Sequence, residues 1–336
     1  LAAIKAILNT TGHLPINLKF CLEGAEEIGS PGFHEFVLQN QATLAADACI
    51  WEGGGVNWDG RPLLTMGVKG ILYVELECTT AGTDTHSSFA TVIPNPVWRL
   101  IWALNTLKDA KDNILLKDFY EAVQPALDEE IEAIRALPDE TDNYKKVWGV
   151  EMFVGEASGF EFRRRMIMEP TANIDGIISG FTDDVGAKTV NPATAKVKLD
   201  FRLVPKQDPE KVLSSLRAHL NEHGFSDIKV NAIGAVNPAR TSLNDPFVQT
   251  VAEAARNAYG LEPYFQPNMA GTGPQYPIQE ILSVPVASCG IDYPGNRIHA
   301  PNENIRRDYF RLGILHTIEV IEELGRRHGN HTNEST

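Results

Sequence analysis

The chain has 336 residues, 43% of them apolar and 22% charged, with a formal charge of −14 at pH 7. That length exceeds the usual single domain, so two domains, or one interrupted by an insertion, is the expectation. The composition is globular and no apolar run is long enough to cross a bilayer; the acidic balance argues against a phosphate-tracking nucleic-acid binder and suits small polar substrates or cations.

The chain opens with "LAAIKAIL", apolar at helical spacing through Leu1, Ile4, Ile7 and Leu8, and without an initiator Met, so the start reads as cut. "LPINLKFCLE" then alternates Ile16, Leu18, Phe20 and Leu22, which predicts a strand ending at the adjacent acids Glu26 and Glu27. Gly24, Gly29, Pro31 and Gly32 around them predict a tight turn. "ADACIWEGGG" repeats the plan: an apolar strand stops at Glu52, and its glycines allow close backbone approach.

"ILYVELEC" alternates as a strand, and "NPVWRLIWALNTL" follows as a helix with Asn95 as cap and Val97, Leu100, Ile101 and Leu104 on one face. After a mostly helical, acidic stretch from Lys108 to Arg165 come the strands "TANIDGIISG" and "ATAKVKLDFRLVP". The second puts Ala195, Val197, Leu199, Phe201 and Leu203 on one face. A helix capped by Asp208 and the strand "IKVNAI" complete a β-α-β-β-α-β order, a ferredoxin-like unit. The acidic stretch reads as an elaboration of that unit with a solvated acidic face. A helix marked by Asp245, Pro246 and Gly260 follows, then the apolar run "SVPVASCGIDYPGNRIHAPNE", whose Gly/Pro loop carries His299 and Glu303, and a final amphipathic helix.

Three predicted strands thus end in potential metal ligands, and in open α/β sheets ligands gather at the carboxyl ends of strands. A bare acid pair is weak evidence, because Glu129-Glu130 and Glu322-Glu323 read as exposed helix acids. Glu26-Glu27 stands out by its place after a strand. Two carboxylates and an imidazole make a sensible partial shell for zinc or a similar cation. Arg202 reads as a surface ion-pair partner or as a two-pronged clamp for a substrate carboxylate. His86 reads as a loop histidine or as a hydrogen-bond donor to a developing oxyanion. Neither choice is fixed by spacing. No H-E-x-x-H, G-x-S-x-G or phosphate-loop pattern occurs. The four cysteines lack any C-x-x-C pair and read as buried thiols of a reducing, cytoplasmic compartment.

"LEGAEEIGSPG", "WEGGG", "THSS", "KTVNPATAKVKLDFRLVP" and "RIHAPNE", in this order, resemble the M20 family of metallopeptidases, and within it the carnosinase-type and Cys-Gly-type dipeptidases. The resemblance implies a split catalytic α/β domain over residues 1–69 and 241–336 with two divalent ions, Zn²⁺ or Mn²⁺. It implies a ferredoxin-like lid and dimerisation domain over 70–240, so a homodimer. By position Glu26 would be the general base that takes a proton from metal-bound water, Glu27 and His299 ligands of one metal, and Glu52 a ligand of the other. His86 would polarise the scissile carbonyl, often across the dimer. Arg202 and Thr189 would hold the substrate's terminal carboxylate and Thr272 would line the pocket. The implied activity is hydrolysis of dipeptides, with N-acyl-amino-acid amidohydrolase and non-catalytic binding protein as alternatives. The family's H-x-D segment and bridging Asp are absent, which implies a chain lacking its first strands.

Overall fold

The structure, a computed structural model, describes residues 1–183 and 185–333, with side chains to residue 327. Two bodies are built from the two patterns of alternation. In the first, the strands Cys49–Trp51 and Val286–Ser288 pair in parallel, Trp51 opposite Ser288, so both run out at the same edge. Beside them Tyr264–Gln266, Pro62–Thr65 and Gly55–Val56 form a small mixed sheet. The helices Pro246–Tyr259 and Arg307–Asn333 cover this body, burying Val248, Val251, Ala252, Ala255 and Val320 against Leu64, Met66 and Ala287.

The second body is the predicted ferredoxin-like unit. Its four antiparallel strands lie in the order Lys229–Val236, Gly70–Thr79, Thr194–Leu203, Thr171–Ser179. All five apolar residues predicted for the inner face of Thr194–Leu203 are buried, under the helices Pro96–Leu104 and Pro209–Glu222. Asn95 Oδ1 accepts from Val97 N at 2.8 Å and Asp208 Oδ1 from Glu210 N at 2.9 Å, so both expected caps form. Ile101 departs from the expected face: it stays 40% exposed while Ala103 is buried, because the helix turns its Leu100–Ala103 side to the sheet.

The chain passes between the bodies twice, and the crossings Gly67–Val68 and Ala239–Arg240 pair antiparallel. Space there is tight: a Cβ at Gly70 would strike the backbone of Val236 and Pro238.

Several expectations fail. Residues 14–22 form no strand; no neighbour pairs with them among the described residues, and Phe20 and Leu22 are 57% and 90% exposed. An extended segment without a ladder partner has nowhere to put its backbone groups but water. The acidic stretch is not all solvated face. Ile114, Leu116 and Phe119 pack on the core of the second body, and the helices Asp128–Ala136 and Gly159–Met168 then lie against the first body. Glu130, expected to be exposed, is buried, because its Oε1 lies 3.0 Å from Arg240 Nε and its Oε2 accepts from Leu127 N. Glu140 is buried with Arg163, which also reaches Gln266 at 3.4 Å. Cys21 is exposed rather than buried, for it lies on the unpaired segment. Among the described residues all four cysteines are free, and no helix is long and apolar enough to cross a membrane.

Candidate active site

Glu26 and Glu27 sit on a single 3₁₀ turn, Glu26–Ile28, closed by Gly29 at φ 88°. The positive φ at Gly29 and at Gly32 is what the glycines supply. Glu23, which the sequence reading passed over, ties the turn from below: its carboxylate accepts from Ala25 N at 2.8 Å and from Ser30 Oγ at 3.1 Å. The turn sends its two acids different ways. Glu27 Oε2 lies 3.1 Å from His299 Nε2, whereas the Glu26 carboxylate has no hydrogen-bond partner among the described residues.

Glu52 follows Trp51 at the shared strand edge. Its glycines do what their spacing suggested. Gly54 has φ 87°, and Gly55 runs against Asp292 so closely that no Cβ would fit. Val56 N donates to Asp292 O at 2.9 Å and Asp292 N to Gly54 O at 3.1 Å, lacing the Glu52 loop to the segment that leads to His299.

His299 stands on a contorted loop: Arg297, His299 and Asn302 all have positive φ, between 58° and 65°. Such non-glycine conformations persist only where the surroundings impose them. Asn304 pins this loop at both ends. Its Nδ2 donates to Asn302 O at 3.0 Å and its Oδ1 accepts from Tyr293 Oη at 2.5 Å, while its backbone N donates to Asn296 O at 2.8 Å. No motif flagged Asn304.

Burial, then the negative charges of Glu27, Glu23 and Glu52, raise the Glu26 pKa above the ordinary carboxylate value, with His299 opposing. A carboxylate so raised is a better proton acceptor. The donors around it are of the kinds that zinc and manganese take, but their number falls short. Among the described residues no three His, Cys, Asp or Glu side chains stand together as a cation shell. A zinc site takes three or four protein ligands, so Glu27 and His299 form a pair, not a completed site.

The candidate residues of the second body separate into two places. His86 and Thr189 meet on the short pairing of Thr85–His86 with Val190–Asn191, Thr189 Oγ1 lying 3.3 Å from His86 Nε2. His86 Nδ1 accepts from Ser88 N at 3.2 Å, which assigns the proton to Nε2. Thr189 precedes the Thr194 end of Thr194–Leu203, whereas Arg202 lies eight residues along towards the other end, about 26 Å from Thr194 at the usual rise of a strand. Its Nη1 donates to Thr272 Oγ1 at 2.8 Å and its Nε lies 3.4 Å from Asp200. Within one chain, then, Thr189 accompanies His86 and not Arg202.

Comparison with known proteins decides the relationship. The M20 family metallo-carboxypeptidase Sso-CP2 of Sulfolobus solfataricus is 37% identical, superposes with a TM-score of 0.92, and is covered over 74% of its length by 96% of this chain. The chain belongs to the M20 family of peptidases. Residues 66–228 match the family's peptidase dimerisation domain, so this M20 fold is mixed α/β with a separate dimerisation domain. The Beta-Ala-His dipeptidase of Mus musculus is 25% identical over 334 residues, 95% of this chain and 66% of that protein. The Cys-Gly metallodipeptidase DUG1 of Saccharomyces cerevisiae is 27% identical over 323 residues, 90% of this chain and 64% of that protein. The M20 chain thus spans about two thirds of the length of these curated relatives.

Proposed function

We propose that this M20 chain belongs to a dipeptidase that hydrolyses the peptide bond of short peptides carrying a free terminal carboxylate. The observation that carries the reading is the division of labour on one turn: Glu27 is committed to His299 while Glu26, its proton affinity raised, is left free. Glu26 is the general base that takes a proton from the attacking water and returns it to the leaving amine. Glu27, His299 and Glu52 are the donors offered to divalent cations, zinc or manganese, which need further ligands besides these. Such cations, when bound, polarise the carbonyl and acidify water.

Arg202, with Thr272 beside it, receives the substrate carboxylate, for a guanidinium matches two carboxylate oxygens at once. His86 and Thr189 of a second copy supply the carbonyl contact, since within one chain they sit by the Thr194 end of the strand whose other end carries Arg202. The catalytic body is residues 1–69 and 241–336 and the lid is 70–240. Dipeptides and N-acyl amino acids assayed with the full-length protein after chelation, and again with Zn²⁺ or Mn²⁺ restored, test this. Metal-restored dipeptide cleavage is expected. Cleavage without metal overturns the reading, and faster release of acyl groups moves it to an amidohydrolase.

A further inference from the structure

Lys69 is 2% exposed, at the point where the chain leaves one body for the other. Its Nζ carries three hydrogens, and among the described residues the acceptor it meets is the main-chain oxygen of Glu169, at 2.5 Å. A buried ammonium held by one carbonyl costs folding free energy that a methionine of similar length would not. Its position shows what the cost maintains. Lys69 N donates to Gly271 O at 2.9 Å, and Lys69 bridges Thr272, so its backbone fixes the loop that carries Thr272. Its side chain fixes Glu169, two residues before Thr171, which pairs with Arg202 in the lid sheet. One residue therefore ties together the two supports of the Arg202–Thr272 contact.

We propose that Lys69 is the positioning residue of that contact: its backbone holds the Thr272 loop and its ammonium holds the start of the strand beside Arg202, which keeps both groups set for a carboxylate. This rests on the reading of Arg202 and Thr272 as the carboxylate subsite. The charged groups facing Lys69 are Glu169, itself paired with Arg164, and Arg202, paired with Asp200. The paired crossing adds Arg240, held by Glu130, and the Thr272 loop adds a carbonyl. Burial, with Arg202 adding to it and Glu169 opposing, lowers the Lys69 pKa to about 8, so the ammonium is lost within reach of a binding experiment.

The test is calorimetric binding of a reduced-amide dipeptide, which cannot be hydrolysed, and of its C-terminal carboxamide. The wild-type chain should prefer the acid, and that preference should fall about tenfold between about pH 7 and about pH 9.5, because a modest misplacement of a binding group suffices for such a loss. Lys69→Met should show the lower preference at both pH values, with affinity for the carboxamide unchanged. A wild-type preference that is flat with pH overturns the inference without any variant. So does a Lys69→Met chain that keeps the preference, or one that loses affinity for both ligands alike. Arg202→Met, measured in parallel, separates the two claims. If it keeps the preference, the carboxylate subsite itself is misassigned. If it loses the preference and Lys69→Met does not, only the role of Lys69 falls.

Discussion

Arg202 Nη1 donates to Thr272 Oγ1 at 2.8 Å and so joins a strand of the second body to a loop of the first. Arg202→Met should raise KM for dipeptides by about ten- to a hundredfold with a smaller change in kcat, as loss of a charge-assisted hydrogen bond predicts. Thr272→Ala should give a few-fold change in the same direction. Steady-state kinetics on a free dipeptide and on its amide read this, and the amide should be insensitive to both substitutions.

His299 depends on Asn304. Asn304→Ala removes the side chain that bonds Asn302 and the Tyr293 and Asn296 flank of the loop carrying His299. The fold should survive, with a stability loss of about 1–2 kcal/mol, while affinity for added Zn²⁺ or Mn²⁺ falls. Thermal melts and metal titration of the variant separate these effects.

Lys69 also sets a pH dependence of stability. Its folded pKa of about 8 lies below the ordinary lysine value of 10.5, so between those values the unfolded chain binds more protons than the folded one. Stability contributed by this group therefore rises with pH across that window, by up to about 3 kcal/mol. The stability of the wild type relative to Lys69→Met, from urea melts, should increase as pH is raised from about 8 to about 10. A decrease would contradict the assignment.

The buried pair Arg163 and Glu140 anchors the acidic insertion to the first body through Gln266. Arg163→Met should cost about 3–5 kcal/mol because it strands a buried carboxylate. Replacing both partners with apolar residues should cost less than the single change. Equilibrium unfolding of the single and double variants reads the difference.

What the sequence made legible was what repeats locally. The strand Thr194–Leu203 and its buried face, the caps Asn95 and Asp208, and the close approach at Gly54 and Gly55 all follow from neighbours within a few residues. The segment 14–22 alternates just as well, yet pairing needs a partner that alternation does not reveal. Glu130 looked like Glu129 because its partner Arg240 is remote in sequence. Glu23 and Asn304 were missed for the same reason as Lys69: each acts by holding main-chain atoms, and that work leaves no motif.

The central claim is that the adjacent acids of one turn do different work. The direct measurement sets Glu26→Gln beside Glu27→Gln and reads dipeptide hydrolysis and bound metal in each. Glu26→Gln should lose about 10²–10⁴-fold in kcat while retaining wild-type metal affinity, and Glu27→Gln should lose both. Undiminished hydrolysis in Glu26→Gln, or an equal loss of metal from both variants, would contradict the account.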